Sequence, residues 1–141
     1  MKFTDFNLWS YGNCVEYAGG KYDIAYGRDE AMLGGLALGA KGSVGNGFNW
    51  AAGVYQRMRK AFYAGDLVTA REEQKKSRLI VDTIFDAAYG GNSLATSRVL
   101  YEYKNPSVKL GPPRLPIIEL TPAQKKALIE KLEEIKFKTW W

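Results

Sequence analysis

Histidine is missing from this 141-residue chain, and that one absence removes whole classes of chemistry. A nucleophile–His–acid triad needs the imidazole to carry its proton, and His-rich metal sites need it as a ligand. Cysteine is almost missing too: Cys14 stands alone, so no disulfide can close within the chain, as expected in a reducing compartment. No apolar run approaches the ~18 residues of a membrane span, and the small apolar stretch from Ala31 to Ala40 is too short. The N-terminus lacks the charged-then-apolar layout of a signal peptide. Neither the P-loop nor the dinucleotide-binding glycine fingerprint occurs. These absences predict a soluble, cytoplasmic chain with no His-rich metal site and no membrane partner.

What is present is ordinary in bulk. Hydrophobic residues make up 46% and charged ones 25%, and the length suits one domain with a core of its own. The net charge of +5 is a mild excess. Its densest cluster, Arg71, Lys75, Lys76 and Arg78, is interleaved with Glu72 and Glu73. That pattern predicts a solvated helix face, not the one-sided basic stripe of a nucleic-acid reader.

Periodicity divides the chain into two halves. In residues 1–65 strand and helix signals alternate. Met1-Lys2-Phe3 reads as a strand end, followed by a helix capped by Thr4 or Asp5 that turns Leu8, Tyr11 and Val15 inward and stops at Gly19-Gly20. Tyr22 to Tyr26 is a second strand, Asp29 the N-cap of a helix reaching Leu38, and Gly42 to Gly45 a third strand. Helix resumes from Trp50 to about Ala64. Residues 66–141 are helical: Asp66 caps a long helix from Leu67 to about Tyr89. Its buried flank holds Leu67, Ala70, Gln74, Ser77, Val81, Ile84 and Ala88, and Gly90-Gly91 stops it. A further helix spans Leu94 to Tyr103, and the proline-rich stretch from Asn105 to Leu120 is extended or looped. Thr121-Pro122-Ala123-Gln124 is a capping box that opens a last helix burying Leu128, Ile129, Leu132 and Ile135. Pro113 and Pro116 form a PxxP, read here as a wrapping segment that fixes a helix entry. Three β–α units are few for an independent parallel sheet, which suggests part of a larger one.

Three turns repeat one arrangement, with polar groups where a strand hands over to a helix: Lys2-Phe3-Thr4-Asp5, Tyr26-Gly27-Arg28-Asp29-Glu30, and Val44-Gly45-Asn46-Gly47-Phe48-Asn49. Parallel α/β folds keep their chemistry at that end. Together with Gly111-Pro112-Pro113-Arg114-Leu115-Pro116, and in this order, these stretches resemble the C-terminal half of the N-acetylneuraminate lyases. Those enzymes belong among the dihydrodipicolinate synthase-like class I aldolases.

The resemblance implies an α/β fold, a partial TIM (β/α)8 barrel of about the last three β–α units followed by C-terminal helices. It implies Lys2 as the Schiff-base nucleophile, Thr4 as a substrate contact, and Gly27, Asp29, Glu30 and Asn46 as contacts for the open-chain sugar. It implies sialic acid and pyruvate as small-molecule partners, no cofactor, and a homo-oligomer, typically a tetramer. The chain departs from the pattern at Asn46, where serine is usual, and at Phe48, where tyrosine is usual, so another sugar acid is the nearest alternative. The carboxylate-binding loop and the proton-relay tyrosine of the family belong to its first half, and Met1 stands where the family has an internal apolar residue. The isolated chain is therefore expected to be inactive, or to be a half-barrel that only associates with other chains. From the residues alone, Lys2 equally suits a solvated terminus, and Asp29 and Glu30 suit an N-cap and a first-turn acid.

Overall fold

The computed structural model describes residues 1–86 and 92–140. Internal contacts divide the chain into two compact units, Met1–Arg78 and Leu79–Trp141.

In the first unit, strand β1 (Lys2–Phe3) pairs in parallel with β2 (Ala25–Tyr26), Lys2 opposite Ala25 and Phe3 opposite Tyr26. Ser43 adds a third parallel rung through one bridge to Tyr26. The strands expected over 22–26 and 42–45 are thus shorter than the sequence suggests. Tyr22 and Asp23 face solvent, and glycines at 42 and 45 offer no side chains to pack on a sheet. Ser43 compensates by donating its hydroxyl to the Tyr26 carbonyl at 2.6 Å.

Parallel strands need crossovers, and helices supply them. Helix α1 (Leu8–Gly20) follows β1 and is capped by Asn7, whose side chain accepts from the Ser10 N–H. Asp5 acts one step earlier, accepting from the Asn7 N–H at 2.8 Å, so neither Thr4 nor Asp5 is the cap. The helix turns Tyr11 inward and leaves Leu8 at the surface. Its regular geometry ends before Tyr17, and Ala18 and Gly19 take left-handed φ of 53° and 68°. Tyr11 fastens α1 to the strands: its hydroxyl donates to Ile24 O at 2.8 Å, and its ring meets Phe3 at 5.3 Å and Tyr26 at 4.8 Å. Ile24 and Ala40 complete this small core.

After β2 a 3-10 turn (Asp29–Ala31) leads into α2 (Met32–Ala37), ended by Gly39 at φ 92°. Helix α3 (Phe48–Tyr63) begins two residues before the expected Trp50 and buries Trp50, Val54, Tyr55 and Met58. Asp66 caps α4 (Leu67–Phe85) as expected, accepting from the Thr69 N–H at 3.0 Å. Ala70, Gln74 and Ser77 lie on its buried flank, while Leu67 is exposed. Glu73, expected on a solvated face, is also buried, bonded to Arg57 of α3 at 3.0 Å and to Lys76 at 2.5 Å. The expected end of α4, with Ala88, Tyr89 and Gly90-Gly91, lies outside the described residues.

The second unit holds the end of α4, α5 (Ser93–Lys104) and α6 (Pro122–Glu134), with a 3-10 turn at Phe137–Trp140. Asn92 caps α5, accepting from Ala95 N–H, and its amide reaches the Ile118 carbonyl at 3.2 Å. The capping box at Thr121 and Gln124 is present in both directions. Leu128, Leu132 and Phe137 are fully buried, whereas Ile129, about 100° around the helix from Leu128, is exposed at 38%. Among the described residues, no helix is long and apolar enough to cross a membrane, and no group of three or more His, Cys, Asp or Glu could hold a metal ion.

Candidate active site

Lys2 lies on β1, and the turns that follow β1, β2 and the Ser43 rung carry the other site residues expected from the sequence. Lys2 is exposed on β1, with its stem lying against Gly27. A Cβ at position 27 would stand 2.5 Å from Lys2 Cε, 2.6 Å from Thr4 Oγ1 and 2.8 Å from the Phe3 carbonyl. The Gly27 N–H donates to that same carbonyl at 2.7 Å. Glycine is needed at 27 because two strand ends and a lysine stem meet where a side chain would be. Lys2, Thr4 and Gly27 form one contact group.

Arg28 links this group to the next turn. Its Nε donates to the Thr4 carbonyl at 2.6 Å, its guanidinium lies 4.1 Å over the Phe6 ring, and its Nη1 reaches Glu30 at 3.5 Å. Burial pushes the Glu30 carboxyl above its ordinary range, and the neighbouring Asp29 side chain adds to this. A backbone hydrogen bond and Arg28 pull the other way. A half-buried carboxyl of this kind can accept a hydrogen bond from a ligand hydroxyl.

Asp29 is not the cap of its own helix. Arg28 stands at that position without a side-chain cap bond, and the buried Asp29 carboxylate instead accepts from Gly47 N–H at 2.5 Å. The Asp29 carbonyl is held by α4, from Gln74 Nε2 at 3.2 Å and Ser77 Oγ at 2.9 Å, and Gln74 Oε1 accepts from the Leu33 N–H at 2.8 Å. Asn46 is exposed between Gly45 and Gly47, and both glycines pack on Asp29. Asp29 and the Asn46 turn form a second contact group. Phe48 turns its ring onto Tyr55, centroids 4.5 Å apart.

Reading the sequence did not single out Arg28, Tyr55, Gln74 or Ser77 for the site. The last two carried a signal: two polar side chains on the buried flank of an amphipathic helix demand partners. Arg28 had its own, a cation set between a close-approach glycine and two acids.

With this geometry in place, comparison with known proteins is informative. The model of the dihydrodipicolinate synthetase family matches residues 1–135. The chain belongs to that family. Within the dihydrodipicolinate synthetase family, it is 37% identical over 123 residues to N-acetylneuraminate lyase of Xenopus tropicalis, covering 83% of this chain and 37% of that protein. It is 28% identical to the mouse N-acetylneuraminate lyase over 138 residues, covering 97% of this chain and 42% of that protein. Among solved structures, Proteus mirabilis N-acetylneuraminate lyase superposes with a TM-score of 0.85 at 32% identity, over 97% of this chain and 44% of that one. A Sulfolobus 2-keto-3-deoxygluconate aldolase in complex with D-KDPG superposes at 0.82 with 25% identity, over 97% and 45%. The chain spans less than half the length of each of these relatives, and its α/β fold is that of the family.

Proposed function

We propose that this chain carries the Schiff-base portion of an aldehyde-lyase that cleaves N-acetylneuraminate to pyruvate and N-acetylmannosamine. In this reading it forms about the last three β–α units of a TIM-type barrel, residues 1–65, and the C-terminal helices, residues 66–141. The observation that carries the reading is the parallel pairing of β1, β2 and the Ser43 rung, which sends three polar turns to one end of the sheet. Lys2 stands on β1 just before the first turn, Thr4 on that turn, Gly27, Asp29 and Glu30 on the second, and Asn46 on the third.

The chemistry follows from the residue types. The neutral Lys2 amine adds to the keto carbon and water leaves, giving an iminium. When the carbon–carbon bond breaks, its electron pair moves into that iminium to form an enamine, and the sugar hydroxyl gives up its proton as it becomes the aldehyde carbonyl. Protonation of the enamine and hydrolysis release pyruvate and restore the amine. Thr4 and Gly27 line the approach to Lys2; Glu30 and Asn46 offer hydrogen bonds to the polyol tail. No metal or organic cofactor enters. A different sugar acid is the second reading, favoured by an amide at 46 and by the unhydroxylated Phe48 ring turned onto α3.

The reading places the working enzyme in the cytoplasm as a homo-oligomer, a tetramer in the family. In this reading the chain by itself has little or no activity, because Lys2 is exposed on β1 and a Schiff-base lysine has to be desolvated in a pocket. Borohydride reduction with pyruvate, read by intact mass and light scattering, tests this. The expected result is little trapping in the chain alone. When it is co-produced with the first half of a curated relative, an oligomer trapped at Lys2 is expected. Trapping at another lysine, or none in a co-purified complex, overturns the proposal.

A further inference from the structure

Gly45 and Gly47 flank Asn46, and neither has the positive φ that would call for glycine; Gly47 lies at φ −56°, a conformation open to any residue. Both are glycines for want of space. A Cβ at 45 would stand 2.6 Å from Asp29 Cγ and 2.8 Å from its Oδ2. A Cβ at 47 would stand 2.5 Å from that same oxygen, 2.8 Å from Tyr55 Cζ, and would fall onto the Tyr55 hydroxyl. The turn is folded tightly around one carboxylate, and a phenol from the next helix fills the space above position 47.

The Tyr55 hydroxyl is fixed from both sides. The phenol oxygen and Asp29 Oδ2 crowd the one point where a Cβ at 47 would stand, and the Ser77 hydroxyl, 3.2 Å from the phenol, shares its single proton between that oxygen and the Asp29 carbonyl. Tyr55 is 2% exposed, and burial, then the Asp29 charge, pushes its phenol far above the usual range, so it remains a donor at any physiological pH. Asp29 Oδ2 accepts from the Gly47 N–H at 2.5 Å, with the Tyr55 hydroxyl beside it. Ser77 also holds the Asp29 carbonyl at 2.9 Å.

We propose that Tyr55 is a positioning residue: its hydroxyl holds the Asp29 carboxylate against the Gly47 N–H and so sets where Asn46 presents its amide. Asp29 then acts on the ligand through the turn it organises. The value of the turn for substrate rests on the lyase reading above; the hydrogen-bond chain that sets it does not.

Tyr55→Phe separates the hydroxyl from the ring, since phenylalanine fills the same volume. Hydrogen–deuterium exchange of the full chain is expected to speed up about tenfold in residues 44–50, the factor expected from losing one buried hydrogen bond, with α6 unchanged. The Gly47 amide proton is expected at low field in the parent and further upfield in the variant. Unaltered exchange over 44–50, or acceleration spread evenly across Met1–Arg78, overturns the proposal. Should Tyr55→Phe fail to fold, Ser77→Ala decides when set against Gln74→Ala: both remove a bond to the Asp29 carbonyl and only the first removes the phenol's partner, so residues 44–50 must loosen about threefold more in Ser77→Ala or the proposal fails. In the co-produced enzyme, Tyr55→Phe is expected to raise KM for the sugar acid several-fold while leaving pyruvate trapping at Lys2 unchanged; loss of that trapping also counts against it. If the parent enzyme traps no pyruvate, the lyase reading falls, and the exchange measurement still judges the role of Tyr55.

Discussion

The two contact groups at this end of the sheet are built to different standards. Around Asp29, backbone, α3 and α4 converge: Gly47, Tyr55, Gln74 and Ser77 all spend a hydrogen bond there, and the carboxylate is buried. Around Lys2, one strand pair and a glycine contact do the holding, the lysine is exposed, and the neighbouring recess of about 310 Å³ is lined by Met1, Phe3, Cys14, Tyr17, Tyr22 and Ile24. The chain fixes the turn around Asp29 from several elements and leaves Lys2 exposed on β1. Preorganisation here is local, and it follows the number of elements that reach each group.

The largest effect should come from breaking the tight side. Gly47→Val puts a branched side chain onto Tyr55 and Asp29, and overpacking of that kind costs about 3 kcal/mol. Gly42→Val is its control, because nothing lies within 4 Å of a Cβ there. Its cost should stay within about 0.5 kcal/mol. Urea midpoints for the two variants compare directly, and equal losses would dissolve the contrast between loop and lysine.

A smaller effect is expected from Glu30, at the seam between the two groups. Burial is the main reason its folded carboxyl holds a proton to higher pH than the unfolded chain does. Between the ordinary glutamate range and that raised value, the folded state carries the extra proton, so stability falls as pH rises through the window. Below the window this contribution is fully present. Glu30→Gln should flatten the slope and slightly raise the neutral-pH melting temperature. A melting curve whose pH dependence matches the parent would remove Glu30 from the partly desolvated seam.

The smallest change in stability belongs to Lys2. Lys2→Met should shift the unfolding free energy by no more than about 0.5 kcal/mol, as at other exposed positions. The same variant should lose all pyruvate trapping in the co-produced enzyme. A large loss of stability would mean that Lys2 is a structural residue after all.

How much of this was legible in the sequence depended on range. The capping box at Thr121 and Gln124 and the Asp66 cap close within three residues, and both are present as read. The parallel α/β order was legible from the strand and helix alternation, and family membership from four motifs in register. Strand lengths were not, because a strand needs neighbours, and glycines at 42 and 45 give them little to pack against. The partner of Asp29 was hidden as well: local chemistry offered an N-cap, and the tertiary fold brought Gly47 and Tyr55 from 18 and 26 residues away instead. Ile129 and Leu67 were assigned inward by spacing alone, and the actual neighbours of each helix decided otherwise.

The crowding at position 47 also constrains the history of this sequence. A methyl group there and a phenol at 55 claim the same space, so the two cannot coexist on this backbone. Any ancestor or descendant with a side chain at 47 has to carry something shorter than tyrosine at 55, and a route between the two states must pass through glycine at 47 paired with the smaller partner. Positions 47 and 55 should therefore change as a pair across related chains, and the order of the two steps is fixed: whenever tyrosine is gained, the glycine is already in place.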